Sequence, residues 1–121
     1  MEMVKPKKLE FLSDFVFEFF RVQEVVHSTA VGKGWWDGEA NTGEKIALMH
    51  SELSEALEAL RNGDPPDDKI PGFSGSEAEL ADVIIRIMDF ASHFKLRVAE
   101  AVLAKAAYNE TRPVKHGGKL F

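Results

Sequence analysis

Hydrophobic residues recur along the chain at helical spacing in four separate blocks. Clusters of glycine and proline interrupt the blocks, and the period-two alternation that is typical of strands is absent. The predicted helices cover residues from about 9 to 30, 41 to 62, 76 to 94 and 97 to 111. Four helices with short connections predict an all-α fold, a four- to five-helix bundle in a single domain of residues 1–121.

Two sequence signals set the predicted starts of the second and third helices. Asn41 lies three residues before Glu44, and Ser76 lies three residues before Glu79, which is the spacing of a capping box. The second helix is expected to stop at Gly63, where a loop rich in Pro, Gly and Asp begins and runs to residue 75. We expect this loop to be mobile.

The apolar stripes predict which side of each helix faces the core. The first helix is more apolar than one core-facing side requires, since Phe17 falls off its main stripe. This excess indicates either a second buried face in a dimer or a central position in a monomeric bundle. The inward sides of the second and third helices are predicted to comprise Ile46, Met49, Leu53, Ala56 or Leu57, and Leu60, and then Leu80, Val83, Ile84, Ile87, Ala91 and Phe94.

The composition is that of a soluble globular protein, with 45% hydrophobic and 29% charged residues. A formal net charge of -5 argues against nucleic-acid binding but not against a nucleotide, because carboxylates that hold divalent cations form a locally positive site. The lack of cysteine excludes disulfides, thiolate zinc sites and cysteine nucleophiles. No apolar run suits a membrane helix and no signal-peptide pattern opens the sequence, so we expect a cytoplasmic location and no membrane partner.

Two pairs of carboxylates lie on the second and third predicted helices. Glu52 and Glu55 are three residues apart, as are Glu79 and Asp82, so each pair shares one helical face. Each pair borders an apolar stripe, which predicts that the four acids meet at the seam between the helices. Such an all-oxygen set suits Mg2+, with Mn2+ as an alternative. The competing interpretation is two solvated acidic faces.

Cationic side chains accompany these acids. Arg86 follows Asp82 by four residues, and Lys105, Asn109 and Arg112 are spaced by four and three residues on one face of the fourth helix. That face suits phosphate oxygens, because arginine donates bidentately and lysine acts as a point charge. The basic tail of residues 113–121 is expected either to fray or to order against an anion.

A glycine-rich loop after the first helix carries two adjacent tryptophans, Trp35 and Trp36. They are interpreted either as lids over one end of the bundle or as a platform on which a nucleobase stacks. In the second interpretation, His27 and Lys33 close with them over a base or sugar.

Other metal and nucleotide folds do not fit this sequence. A di-iron bundle needs two Glu-x-x-His pairs, and only Glu24 with His27 has that spacing. There is no Walker lysine motif and no glycine motif after a strand, which excludes P-loop and Rossmann folds.

Together these motifs resemble those of the MazG-like, all-α nucleoside triphosphate pyrophosphohydrolases, whose signature is E-x-x-E, a variable gap, and E-x-x-D. Here the signature comprises Glu52 and Glu55, a gap over residues 56–78, and Glu79 and Asp82. The likeness extends to a K-x-x-Y-N-x-x-R-P-x-x-H-G-x-K ending over residues 105–119. It covers residues 44–119 well, and the first helix and the tryptophan loop more loosely.

The resemblance implies hydrolysis of a nucleoside or deoxynucleoside triphosphate to the monophosphate and pyrophosphate. It implies that Mg2+ binds to the four acids, and that the triphosphate contacts Lys105, Asn109 and Arg112. The remaining residues expected to bind substrate are Arg86, Lys33, Trp35, Trp36, His27 and Lys115. Members of this family generally form dimers or tetramers, which agrees with the apolar first helix.

The identity of the general base is open at this point. Many members of the family carry an acid directly after the second glutamate, where this chain has Ala56. Glu55 or Glu58 is expected to orient and deprotonate the attacking water, unless the metal ion alone activates it. Two alternatives to this function are a non-catalytic helical dimer that acts as an interaction module, and a related all-α phosphohydrolase for dUTP or a phosphoribosyl nucleotide.

Overall fold

The computed structural model describes residues 6–113, which form four α-helices and no strand. The helices are α1 (Pro6–Gly32), α2 (Thr42–Arg61), α3 (Gly75–Phe94) and α4 (Val98–Glu110). The predicted all-α class is therefore confirmed, and each predicted helix overlaps its observed counterpart almost completely. None of the described helices combines the length and apolar character needed to cross a membrane.

Two compact units divide the described residues, and we name them by their position in the sequence. The central unit is residues 23–96, which include the last part of α1 and all of α2 and α3. The terminal unit is residues 6–22 together with 97–113, which include most of α1 and all of α4. All four candidate metal-binding acids lie in the central unit. The assignment of residues 1–121 to a single domain stays a prediction.

The start of α2 follows the sequence signal. The Asn41 side chain accepts a hydrogen bond from the Glu44 backbone N–H at 2.9 Å, which satisfies one of the free donors of the first turn. The helix ends where Gly63 and Asp64 adopt φ angles of 83° and 53°. This left-handed turn lets the Asp64 N–H donate to the Ala59 carbonyl at 2.7 Å.

The predicted capping box of Ser76 and Glu79 at the start of α3 is wrong, although the helix begins within one residue of the predicted position. Ser74 is the N-cap: its hydroxyl accepts from the Glu77 N–H at 3.2 Å, and its own N–H donates to the Glu77 carboxylate at 3.0 Å. Ser76 instead donates its N–H and hydroxyl to the Asp64 carboxylate at 2.8 and 2.7 Å. Because Glu77 fills the capping position, Glu79 has no part in the cap and belongs to the contact between α2 and α3.

The connection between α2 and α3 carries its own hydrogen bonds. The Asp67 carboxylate accepts from the backbone N–H groups of Lys69 and Ile70 at 2.9 and 3.0 Å, and Pro66 forms an isolated bridge with Ser74. These bonds define a conformation for a segment that its composition predicts to be mobile. They also place Lys69 at the rim of the acidic cavity described below.

The helix α2 packs along α3 and buries Ala56, as predicted, but not the leucines of its predicted stripe. Glu52 and Ala56 are buried on α2, whereas Leu53, Leu57 and Leu60 are between 47% and 56% exposed. The prediction that these leucines face inward is therefore wrong. The buried face of α2 is thus turned by about one residue away from the leucines.

The third helix buries Ala91, as predicted, but not every residue of its predicted inward side. Ala78, Met88 and Ala91 are buried, whereas Leu80 and Ile84, both predicted to face inward, are about half exposed. On α1 the off-stripe Phe17 is 61% exposed. A second buried face formed by association of chains stays a prediction.

Candidate metal and substrate site

The contact between α2 and α3 brings together three of the four predicted metal ligands. One carboxylate oxygen from each of Glu52, Glu55 and Glu79 lies within 4.8 Å of those of the other two. The three-residue spacing on α2 and the packing of α3 against it produce this convergence. Asp82, one turn after Glu79, lines the same cavity with an exposed side chain. The seam predicted from the sequence is therefore present in the fold.

Glu79 occupies the most constrained position in this cluster. Burial, together with the neighbouring carboxyl groups of Glu52 and Glu55, raises the pKa of Glu79 to about 8. Its Oε2 atom is buried and has no hydrogen-bond partner among the described residues. A buried carboxylate oxygen without a partner costs free energy, so this position is poised to accept a proton or a cation.

Glu52 is stabilised in its charged form by an arginine of the neighbouring helix. Burial alone raises the pKa of Glu52, but the adjacent Glu79 carboxyl and the Arg86 guanidinium outweigh it and lower that pKa below its usual value. Arg86 donates from Nε to Glu52 Oε1 at 3.1 Å, and its Nη2 lies 3.0 Å from the same oxygen. Both side chains are largely buried, so solvent screens this pair less than it screens a surface pair.

Asp82 completes the acidic wall on α3. Partial burial and the charge of Glu52 raise its pKa above the ordinary value, against a lowering effect of Arg86. The pKa values of Glu79 and Asp82 are thus both raised when no cation is bound. A divalent cation would reverse this effect, because it favours the charged form of every carboxylate around it.

The acids line one part of an open cavity of about 440 Å³. Trp35 and aliphatic side chains of α1 and α3 form another part of its wall, and two cations, Lys69 and Arg86, also border it. The full lining consists of Val26, Thr29, Ala30, Trp35, Glu52, Glu55, Lys69, Glu79, Asp82, Ile85, Arg86 and Asp89. Apolar walls with a few oriented polar groups are typical of small-molecule sites.

The two adjacent tryptophans have different environments. Trp35 lines the cavity, is 47% exposed, and has the Arg86 guanidinium 4.9 Å from its ring centre. Trp36 stacks on His93 at 3.7 Å between ring centres and donates its indole N–H to Asp89 at 2.9 Å. Of the two predicted platforms for a base, Trp35 is the one that faces the cavity, whereas Trp36 packs within the central unit.

Three further predicted site residues do not line this cavity. His27 packs against Trp36, and its Nδ1 lies 2.7 Å from Asp89 Oδ1. Lys33 is exposed and extends the end of α1 through backbone bonds to Thr29 and Ala30. Glu58, one of the two candidate bases, is exposed and accepts from the Asn62 side chain at 3.3 Å. The other candidate base, Glu55, does line the cavity.

The predicted phosphate-binding face belongs to the terminal unit. Lys105 and Asn109 lie on α4 and Arg112 follows it, and all three side chains are exposed. The ammonium group of Lys105 lies 5.3 Å from the ring centre of Tyr108. The predicted role of these residues in binding a triphosphate stays a prediction, and Lys115 lies outside the described residues.

Two charged residues that line the cavity were not among the predicted site residues. Asp89 follows Asp82 by seven residues, so its helical spacing places it on the same face of α3 as Asp82, although the sequence gave it no role in the site. Lys69 comes from the connection between α2 and α3, and no periodic pattern marks it. Its position depends on the bonds of Asp67 within that connection.

Comparisons with protein-family models, with curated proteins and with solved structures found no match to this chain.

Proposed function

We propose that the protein hydrolyses a nucleoside or deoxynucleoside triphosphate between its α and β phosphates, which yields the monophosphate and pyrophosphate. The observation that carries this proposal is the convergence of Glu52, Glu55 and Glu79 within 4.8 Å in a cavity bordered by Arg86 and Trp35. Anion-binding, cation-binding and ring-stacking groups thus border one cavity. A triphosphate with its divalent cation and its base presents partners for all three.

The donor set supports Mg2+, with Mn2+ as the alternative, as the cation of this site. The candidate ligands are all carboxylate oxygens, which hard cations prefer, and Glu79 Oε2 lacks any partner among the described residues. Glu52, Glu55, Glu79 and Asp82 would hold the ion. When bound, Mg2+ supplies positive charge that neutralises phosphate oxygens and favours attack at phosphorus.

The chain's own residues then orient and deprotonate the attacking water. In this proposal Glu55, the exposed member of the acidic cluster, accepts a proton from the water. The water oxygen forms a bond to the α phosphorus, and the bond from that phosphorus to the oxygen bridging to the β phosphorus breaks. The electron pair leaves with pyrophosphate. Glu58 is less suited to this role because it accepts from Asn62 and does not line the cavity.

Two cations and one aromatic ring serve the rest of the substrate. Arg86 and Lys69 border the cavity and would neutralise charge on the leaving pyrophosphate. Trp35 offers a half-exposed ring on which a base stacks. Such stacking accepts any base, because every base has a flat aromatic face.

Self-association is part of the same proposal. The leucines at positions 53, 57 and 60 of α2 form one exposed apolar stripe, and Leu80 and Ile84 of α3 are also about half exposed. Exposed apolar patches of this kind favour a homodimer or homotetramer. The competing function, a non-catalytic interaction module, uses the same stripe. It gives no role to the buried Oε2 atom of Glu79, which has no hydrogen-bond partner among the described residues.

The decisive experiment incubates the purified chain with Mg2+ and a panel of nucleoside triphosphates, and measures monophosphate, pyrophosphate and orthophosphate. We expect monophosphate and pyrophosphate in equal amounts, and their loss in Glu52→Gln and Glu79→Gln. Glu18→Gln, an exposed acid of α1, is the matched control and should keep the parental rate. Release of orthophosphate alone would contradict attack at the α phosphorus. Parental rates in both site variants would show that the site is elsewhere.

The assignment of the base has its own test. Glu55→Gln should lower kcat by at least about 100-fold, since a positioned general base contributes on that order. Glu58→Gln should retain most of the parental kcat. If Glu58→Gln lowers kcat more than Glu55→Gln does, Glu58 is the general base instead.

A further inference from the structure

We infer that Asp89 determines base specificity in this cavity and selects cytosine and adenine nucleotides, whose bases carry an amino group where uracil and hypoxanthine carry a carbonyl oxygen. The inference rests on the proposed function, which identifies the ligand of the cavity as a nucleotide. It commits to cytosine and adenine as accepted bases, and to uracil, thymine and hypoxanthine as disfavoured ones.

The orientation of Asp89 is fixed by two donors that bind the same oxygen. Oδ1 accepts from the Trp36 indole N–H at 2.9 Å and lies 2.7 Å from His27 Nδ1. An ionised carboxylate is only an acceptor, so His27 presents Nδ1–H to it. The side chain of Asp89 is 14% exposed, and no partner of its Oδ2 is seen among the described residues. Trp36 and His27 thus position the carboxylate and leave one of its oxygens available.

Asp89 lies as far from the acids as the outer edge of a base lies from the α phosphate of its nucleotide. It lines the same cavity as the acids and follows Asp82 by seven residues on α3, which corresponds to about 10 Å along a helix. The span from an α phosphate to the outer edge of its base is comparable. Between the two positions the wall includes Ile85 from α3, and Trp35 and Ala30 border the cavity as apolar surfaces. With the α phosphate at the acids, the base edge reaches Asp89.

The chemistry of a carboxylate then decides which bases fit. The exocyclic amino groups of cytosine and adenine donate to an acceptor such as a carboxylate oxygen. Uracil and thymine carry a carbonyl oxygen where cytosine has its amino group, and hypoxanthine does so where adenine has its amino group. Such an oxygen would face a negatively charged oxygen in a water-poor position, which is repulsive and leaves both groups unpaired.

The substitution Asp89→Asn gives a sharp prediction because the two donors fix the orientation of the new amide. Trp36 N–H and His27 Nδ1–H both require an acceptor, so the carbonyl oxygen of the amide takes the Oδ1 position, and its NH2 group takes the Oδ2 position. The available acceptor becomes a donor, while the bonds that hold the side chain are kept. The variant should therefore fold and prefer bases with a carbonyl at that edge.

The test uses two matched substrate pairs, dCTP with dUTP and dATP with dITP, which differ at the exocyclic position. We expect kcat/KM of the parental protein to favour the amino member of each pair by at least about tenfold. Asp89→Asn should abolish or invert both ratios. Glu24→Gln, whose carboxylate accepts from Ser92 outside the cavity, should leave them unchanged, and circular dichroism should show the same helix content in all three proteins.

A binding measurement separates this inference from the proposed reaction. Calorimetric titration with the α,β-methylene analogues of dCTP and dUTP in Mg2+ should show the same preference and the same loss in Asp89→Asn. If this preference appears in binding without turnover of any triphosphate, the specificity inference holds and the proposed reaction fails. If turnover occurs with equal kcat/KM within each pair, or with a preference that Asp89→Asn keeps, the inference is overturned and the reaction stands. Failure of both analogues to bind overturns the inference as well.

Discussion

Arg86 binds one oxygen of Glu52 through two nitrogens, Nε at 3.1 Å and Nη2 at 3.0 Å, across the contact between α2 and α3. The pair joins a cation of one helix to an acid that is expected to hold metal on the other. It offsets part of the negative charge of the cluster when no metal is bound. The pair therefore links the stability of the fold to the affinity of the site for a cation.

Replacement of Arg86 by Met should lower stability and strengthen metal binding. Glu52 would lose a charge-assisted hydrogen bond in a largely buried position, which costs about 1–3 kcal/mol of unfolding free energy. The acids would also attract Mg2+ more strongly once a neighbouring positive charge is gone. Denaturant unfolding without metal and calorimetric titration with Mg2+ measure the two effects. Arg61→Met, at the exposed end of α2, should change neither.

The raised pKa of Glu79 predicts a stability that falls with rising pH. The unfolded chain releases this proton near its ordinary pKa of 4.5, whereas the folded chain keeps it up to about 8. The folded state therefore binds more protons between these values, and its stability relative to the unfolded chain decreases across that window. Glu79→Gln cannot titrate and should show a flatter dependence of melting temperature on pH.

Mg2+ should remove the same dependence in the parental protein, because a bound cation favours the ionised carboxylate. Melting curves at pH 5, 7 and 9, each with Mg2+ or with a chelator, test both effects. Identical slopes in the parental protein and Glu79→Gln, measured with chelator, would contradict the raised pKa.

The two tryptophans should separate into a structural and a ligand-facing residue. Trp36→Phe removes the indole donor to Asp89 and should cost about 1 kcal/mol or more of unfolding free energy. Trp35→Phe keeps an aromatic ring at a half-exposed position, so we expect little change in stability and a weaker stack on a base. Chemical denaturation and nucleotide titration of both variants distinguish them. The assignment fails if Trp35→Phe is the more destabilised variant.

A charge on the leucine stripe of α2 should dissociate an oligomer. Leu57 is 52% exposed, and Leu57→Glu places a carboxylate where association would bury an apolar side chain. We expect the molar mass from light scattering to fall to that of one chain of 13.5 kDa. Ser51→Glu adds the same charge to a different face of α2 and should preserve the assembly. A monomeric parental protein would contradict the proposed association.

The sequence contains enough information for the helices but not for every helix start. Ser74 with Glu77 and Ser76 with Glu79 both fit the capping-box pattern, so local spacing alone does not choose between them. The choice depends on Asp64, which lies twelve residues before Ser76 and accepts both of its donors. A prediction from local pattern does not include such a contact.

The candidate site was likewise predictable only where local sequence spacing decides the geometry. The convergence of the acids was predictable, since spacing of three places each pair on one face. The pairing of Arg86 with Glu52 was not, because it depends on how α2 and α3 are aligned along their contact. The exposure of the leucines was also not predicted. A count of apolar positions ranks leucine above alanine, so it does not decide between Leu57 and Ala56, of which only Ala56 is buried.

The connection between α2 and α3, closed by Asp64 and Ser76, also has a kinetic consequence. The acids that converge come from helices that are adjacent in sequence, so their contacts have short sequence separation and a small loop-closure entropy. Proteins whose contacts are local fold faster than those with distant contacts. We therefore expect the acidic cluster of Glu52, Glu55 and Glu79 to assemble early in folding, before the more distant segments that line the same cavity meet α3.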